Sequence, residues 1–193
     1  MNRRAVIALG LLFAGSAFAG ASYAATDKYV TILDGKSMGD FTPIGNANWR
    51  IKDGAVYADR GNGFLVSKQN YADFHLRAEV WVDQPANSGI FIRCENPQNV
   101  SGRSSYEVNI FDTRPDQSYG TGSIVNVAKV SPMPHAAGKW NVMEITAKGP
   151  LMVITFNGKV SSSGSDAKHP RGRIALQYGG GVVKFRKVEI MPL

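Results

Sequence analysis

Phe74-His75-Leu76-Arg77-Ala78-Glu79-Val80-Trp81-Val82 alternates without a break. Phe74, Leu76, Ala78, Val80 and Val82 face one way, and His75, Arg77, Glu79 and Trp81 the other. A period of two is the signature of a strand with one face in a core. The same phase recurs on either side. In Gly89 to Cys94 the apolar set is Ile90, Ile92 and Cys94, with Phe91 and Arg93 opposite. In Tyr106 to Asp112 it is Tyr106, Val108 and Ile110, with Glu107, Asn109 and Phe111 opposite. In Arg173 to Tyr178, Ile174, Leu176 and Tyr178 face in, while Arg173, Ala175 and Gln177 face out. Further short apolar segments read as strands at Trp49 to Ile51, Ala55 to Ala58, Phe64 to Ser67, Ser123 to Val127, Asn141 to Lys148, Leu151 to Phe156 and Val182 to Ile190. Turn residues separate them: Asp53-Gly54, Lys148-Gly149-Pro150, Asn157-Gly158 and Gly179-Gly180-Gly181. Asn157-Gly158 is the strongest signal for a tight hairpin. Ser161 to Ser165 reads as a loop. No long window repeats apolar residues at helical spacing. The expectation is an all-β chain, either an antiparallel sandwich or a closed barrel.

The 193 residues suit one domain. Met1-Asn2-Arg3-Arg4 is a basic start, and Ala5 to Ala19 is uncharged and small or apolar. The small-x-small sites Ala17-Phe18-Ala19 and Ser22-Tyr23-Ala24 follow. That run is short for a bilayer span and has the layout of a secretory signal. The expectation is a signal peptide over residues 1–24, cleaved after Ala24, and a single domain over 25–193. Localisation would be periplasmic or secreted, with no membrane span in the mature form. The net charge of +7 falls to +5 once Arg3 and Arg4 are removed. The charges are scattered and no nucleic-acid motif is present, so nucleic acid is not an expected partner. Cys94 is the only cysteine. It rules out an intrachain disulfide and reads as a small buried hydrophobe rather than a nucleophile.

The outward sets are unusual for solvent-facing strands. Glu79, Trp81, Phe91, Arg93, Glu107, Asn109, Phe111 and Gln177 mix charge, amides and rings. On one face they would suit a sugar, with planar polar groups for the hydroxyls and rings for its apolar side. A structural salt-bridge cluster Glu79–Arg93–Glu107 explains part of the same set, and at this level both readings stay open.

Several short motifs in fixed order point further. They are Ile32-Leu33-Asp34-Gly35-Lys36-Ser37, Trp49 with Asp53-Gly54, Tyr71-Ala72-Asp73-Phe74-His75-Leu76-Arg77, Asn87-Ser88-Gly89-Ile90-Phe91-Ile92-Arg93 and Tyr106-Glu107-Val108-Asn109-Ile110-Phe111-Asp112. Thr121-Gly122-Ser123-Ile124, Gly138-Lys139-Trp140-Asn141, Asn157-Gly158, Ile174-Ala175-Leu176-Gln177 and Phe185-Arg186 complete the series. In this order they resemble the 3-keto-disaccharide hydrolase family from about Val30 to Leu193. The resemblance implies a concanavalin A-like antiparallel β-sandwich, or jelly roll. Three positions depart from the family pattern. Asn109 stands where Gln is frequent. Tyr178-Gly179-Gly180 follows Leu176-Gln177 where Asp-His-Gly is common, so any role of that His is vacant here. Phe185-Arg186-Lys187 replaces Phe-Arg-Asn.

The resemblance implies substrates already oxidised to a ketone at sugar carbon 3. Such a ketone acidifies the hydrogen on C2, so a base can form an enolate and the group on C1 leaves by elimination, after which water adds. The expected catalytic residues are Glu107 as acid or base, Arg93 as enolate stabiliser, and Glu79 or Asp112 as second acid/base. The expected substrate contacts are Asn109, Gln177, Asn87, Phe91 and Trp81. A non-catalytic, lectin-like carbohydrate-binding protein is the alternative. A conventional glucanase ranks lower, because Glu107-Val108-Asn109-Ile110-Phe111-Asp112 has Asn where a middle carboxylate would be needed. His75, His135 and His169 match no metal-ligand spacing. No cofactor is expected, and a divalent cation, for instance at the Asp34-Gly35-Lys36 turn, is left open. The expected partner is a small carbohydrate, with oligomeric state undetermined.

Overall fold

The computed structural model describes residues 28–193, and the expected signal peptide and its cleavage site lie outside them. Thirteen strands are present among the described residues. They are β1 (Val30–Leu33), β2 (Phe41–Gly45), β3 (Arg50–Lys52), β4 (Ala55–Ala58), β5 (Gly63–Ser67), β6 (Phe74–Val82), β7 (Asn87–Cys94), β8 (Tyr106–Ile110), β9 (Trp140–Lys148), β10 (Leu151–Phe156), β11 (Lys159–Ser165), β12 (Arg173–Gly180) and β13 (Val183–Pro192). The larger sheet runs β11-β10-β9-β6-β13-β4-β3, and β1 also pairs with β13. The smaller runs β2-β5-β12-β7-β8. The architecture is therefore an antiparallel sandwich, not a closed barrel.

The alternation read from the sequence sets the core. Phe74, Leu76, Ala78, Val80 and Val82 of β6 are buried together with Met143, Ile145, Phe185, Val188 and Ile190 of the same sheet. They meet Leu65, Ile90, Ile92, Val108, Ile110, Ile174, Leu176 and Tyr178 from the other sheet. Tight turns close the hairpins where expected. Asn157 and Gly158 both take positive φ, 49° and 78°, as do Asp53 and Gly54, 51° and 71°, the geometry that matches strand twist in a two-residue loop.

Three sequence readings are corrected. Ser161 to Ser165 is not a loop but most of β11, an edge strand on β10. Its small polar residues suit an edge, and Ser161 and Ser162 donate to the Gly122 carbonyl. Ser123 to Val127 forms no named strand, and Ile124 makes only isolated bridges to Val108 and Ala128. Cys94 does not share the face of Ile90 and Ile92. Arg93 takes a left-handed φ of 52°, and the β7–β12 register shifts between Arg173 and Ala175. Beyond that bulge the phase inverts, so Cys94 packs beside Phe91, Val66 and Val100. Its thiol is buried and donates to the Asn96 carbonyl, and burial pushes its pKa up.

Two polar residues brace the sandwich. The Arg93 side chain is 1% exposed. Its guanidinium donates to the carbonyls of Ala72 (2.9 Å) and Gly149 (2.7 Å) and to Asp73 Oδ1 (3.0 Å). It thus ties β7 of the small sheet to the β9–β10 turn of the large one. Asp112, just past β8, accepts from the Thr121 hydroxyl and from the backbone N–H groups of Ala136 (2.9 Å) and Ala137 (2.9 Å). It pins the long connection that borders β8. Asp112→Ala leaves three donors unpaired, those of Thr121 and Ala136 buried, and should cost about 3 kcal/mol. Phe185→Ala should cost about 3–5 kcal/mol through the cavity it opens. Urea unfolding monitored by tryptophan fluorescence checks both.

Candidate carbohydrate site on the small sheet

The outward face of the small sheet is built from two rows that cross all five strands. Register pairs Ile44 with Phe64, Phe64 with Gln177, Gln177 with Gly89 and Gly89 with Asn109. The next row runs Thr42, Val66, Ala175, Phe91 and Glu107. Leu65, Leu176, Ile90 and Val108 between these positions are locked in the core, so the pleat sends the nine side chains of these rows to the other side. Three segments far apart in sequence thereby bring Glu107, Asn109, Gln177 and Phe91 together. Asn87 follows the phase of Gly89 and Phe91 at the start of β7, and its Nδ2 would lie 3.1 Å from a methyl group on Gly179.

Gly89 lets the Glu107 and Gln177 side chains approach one another at the centre, where an added methyl group would also stand 3.1 Å from the Val108 carbonyl oxygen. A methyl group there would stand 3.4 Å from Gln177 Oε1 and 3.6 Å from Glu107 Cγ. The amide and the carboxylate therefore look across a position where the chain carries no side chain. Gln177 Oε1 and Asn109 Oδ1 are both buried with no hydrogen-bond partner. The Asn109 amide is oriented by its Nδ2, which donates to the Tyr119 carbonyl at 2.6 Å. Asn109 is wholly enclosed by protein, whereas Gln177 is partly exposed, so Gln177 is the amide of the pair that a ligand can approach.

Glu107 is half-buried. Among the described residues no hydrogen bond or ion pair engages its carboxylate. Burial raises its pKa above the ordinary carboxylate value, and the charge of Arg114 opposes that rise. No other acidic residue occurs on the five strands of this sheet. Below Glu107, Phe91 is buried with Val66, Cys94, Val100 and Ala175, and Phe64 and Ile44 pack against this cluster partly exposed. The Phe64 and Phe91 rings meet edge to face at 5.3 Å between centroids.

The remaining expected site residues do not join this face. Glu79 and Trp81 belong to β6 in the large sheet and point to its outer surface, on the opposite side of the sandwich. Glu79 pairs with Arg186, and Lys184 lies 4.1 Å from the Trp81 ring centroid. Alternation assigned them correctly to an outward set, but it does not say which sheet a strand joins. Arg93 and Asp112 have their polar atoms spent on the braces described above. The Glu79–Arg93–Glu107 salt-bridge cluster does not form, since these groups have other partners or none. Phe111 is half-buried past the end of β8.

The sequence reading missed Gly89, Phe64 and Arg114. Gly89 and Phe64 were legible in principle, because each keeps the outward phase of a recognised strand. Arg114 follows β8 on an irregular segment where no period applies. Among the described residues no three His, Cys, Asp or Glu side chains gather as a metal site. Asp34 Oδ1 accepts the backbone N–H groups of Lys36 and Ser37, closing its own turn. His75 bonds Thr146, and His169 lies 3.2 Å from Glu95. A hollow of about 610 Å³ lies among Asn48, Arg50, Asp59 and Arg60. Its charges are already matched, with Asp59 taking hydrogen bonds from Asn48, Arg50 and Tyr57, so the small-sheet face has the stronger chemical claim.

Comparison with known proteins fits this architecture. A proposed glycosyl hydrolase of Parabacteroides distasonis ATCC 8503 superimposes with a TM-score of 0.76 at 17% identity, covering 86% of this chain and 94% of that one. A second from the same organism gives a TM-score of 0.74 at 22% identity, covering 86% and 100%. The carbohydrate-binding module CBM66 from Bacillus subtilis gives 0.62 at 14% identity, covering 79% and 95%. At these identities the likeness establishes the fold, a concanavalin A-like jelly-roll sandwich. No curated protein matches the sequence significantly. The family model for the 3-keto-alpha-glucoside-1,2-lyase-like domain matches residues 28–191, and the chain belongs to that family.

Proposed function

We propose that this protein is a carbohydrate-active enzyme that cleaves 3-keto-glycosides by elimination, with Glu107 as the base that removes the C2 proton. The observation that carries the reading is the unengaged, half-buried Glu107 carboxylate, which stands across Gly89 from the Gln177 amide oxygen. A base needs a free carboxylate of raised pKa within reach of a carbon acid. Gln177, partly exposed, accepts from a sugar hydroxyl and holds the ring, and the buried Asn109, tied to the Tyr119 carbonyl, braces the wall beside it. Arg114, whose charge acts on Glu107, takes the enolate-stabilising role expected of Arg93. Water adding to the unsaturated product completes a net hydrolysis. Ordinary glycosidase chemistry needs a second carboxyl at roughly 5 Å or 6.5–9.5 Å; Asn109 and the braced Asp112 do not supply one. The same lack of a second acid favours, as the other reading, a sugar-binding protein without turnover. In either case the mature protein acts outside the cytoplasm, as a periplasmic or secreted protein beginning at Ala25.

Incubation with 3-keto-glucosides beside the unoxidised parents separates these readings. Cleavage of the keto form alone is expected; binding without cleavage supports the second reading. Glu107→Gln should reduce kcat by about 10²–10⁴-fold. On the acid side, kcat/KM should rise with pH through a midpoint above 4.5, the ordinary glutamate value, and Arg114→Ala should move that midpoint higher. The stability effect has the opposite sense. A carboxyl whose folded pKa is raised binds its proton more tightly in the native state, so its contribution is full below the unfolded pKa and is lost as pH rises through the folded one. Glu107→Gln should therefore melt at a higher temperature than wild type at pH 7, and the gap should close below pH 4.5.

A further inference from the structure

Polar and apolar groups divide the outward face of the small sheet. Glu107, Asn109 and Gln177 surround Gly89 at one end. Toward β2 the same rows carry Val66, Ala175, Phe64 and Ile44, with no charged group among them. Phe64 and Ile44 stay partly exposed while Phe91 and Ala175 in the neighbouring row are buried, so Phe64 is the ring available to a ligand. Phe64 stands two strands from Gly89, about 10 Å at ordinary strand spacing. A pyranose over Gly89 with an aromatic ring beside it spans that interval. Gln177 lies between the two and leans toward Gly89, where its Oε1 meets the gap.

The leaving group must suit an independent fact. Glu107 is the only acidic residue on the five strands, and Asp112 and Glu79 are committed elsewhere. In the elimination Glu107 takes the C2 hydrogen and its electron pair passes to O3 as an enolate. The ketone then re-forms, C1=C2 is made, and the C1–O bond breaks with the pair going to the departing oxygen. An alkoxide is a poor leaving group there, since a simple hydroxyl has a pKa near that of water, about 15.7. A phenolate, with a parent pKa of about 10, leaves without a second acid and takes its proton afterwards from Glu107 or solvent. No oxidant or reductant is consumed.

We infer that the Phe64–Ile44 shelf is an aglycone subsite and that the preferred substrates are aryl 3-keto-glycosides, whose aromatic leaving group rests on Phe64. This rests on the reading of Glu107 as the C2 base. The test compares phenyl and methyl 3-keto-glucosides with the full mature protein. The phenyl compound should give a kcat/KM at least tenfold higher. Phe64→Ser should cut the phenyl value at least tenfold more than it cuts the methyl value, while Phe64→Tyr should retain the phenyl preference. Across ring-substituted phenyl 3-keto-glucosides, kcat should climb as the phenol becomes more acidic. Equal rates for phenyl and methyl substrates, or a matching loss on both in Phe64→Ser with Phe64→Tyr also impaired, would overturn the subsite and leave the Glu107 reading standing. A flat response to phenol acidity would overturn the phenolate argument. Turnover of neither substrate by wild type would remove both this inference and the base assignment.

Discussion

The alternation of β8, of β12 and of β7 up to its bulge at Arg93 is the constraint on which the rest depends. Ile90, Ile92, Val108, Ile110, Leu176 and Tyr178 must sit against the large sheet, since they are buried to within a few per cent. A slip of one residue would pull that set off the large sheet and drive Glu107 unpaired into the core. The core therefore fixes the outward face as firmly as the inward one. Gln177, Gly89, Asn109, Phe91 and Glu107 come together because their neighbours cannot be anywhere else. A site of this kind is carried by regular strands, whose positions vary less than those of loops.

The same logic explains what was legible in the sequence. Period and turn chemistry disclosed the strands, the inward sets and the Asn157-Gly158 hairpin. The ordered motifs disclosed the family and its sandwich. Pairing was not legible, because Phe74 to Val82 and Asn87 to Cys94 look alike in pattern although one strand lies in each sheet. Glu79 and Trp81 were therefore credited to the wrong face. Arg93 was misplaced for a local reason: its left-handed backbone turns the side chain from the outward row toward the Ala72 and Gly149 carbonyls. Asp112 falls beyond the last residue of β8, where alternation no longer predicts direction. Ser161 to Ser165 lacked apolar residues because an edge strand needs few.

Chemically the site is asymmetric, and that asymmetry carries the functional account. One carboxylate stands without a partner in a half-buried place, which is costly to the fold and useful to a base. The Gln177 amide stands partly exposed across Gly89 from it. The apolar end offers rings and methyl groups and no charge. Tyr178-Gly179-Gly180 follows Leu176-Gln177, so in the proposed reaction proton transfer rests on Glu107 alone among the residues of this sheet. Leaving-group chemistry must then do what a second acid does in two-carboxylate glycosidases.

The most direct test of the central claim follows the hydrogen on C2. A 3-keto-glucoside carrying deuterium at C2 should react more slowly than its protium counterpart, and NMR should find the label released to solvent rather than kept in the sugar product. Cleavage at the same rate, with deuterium still on C2, would mean that the C1–O bond breaks without proton abstraction and would contradict the role assigned to Glu107.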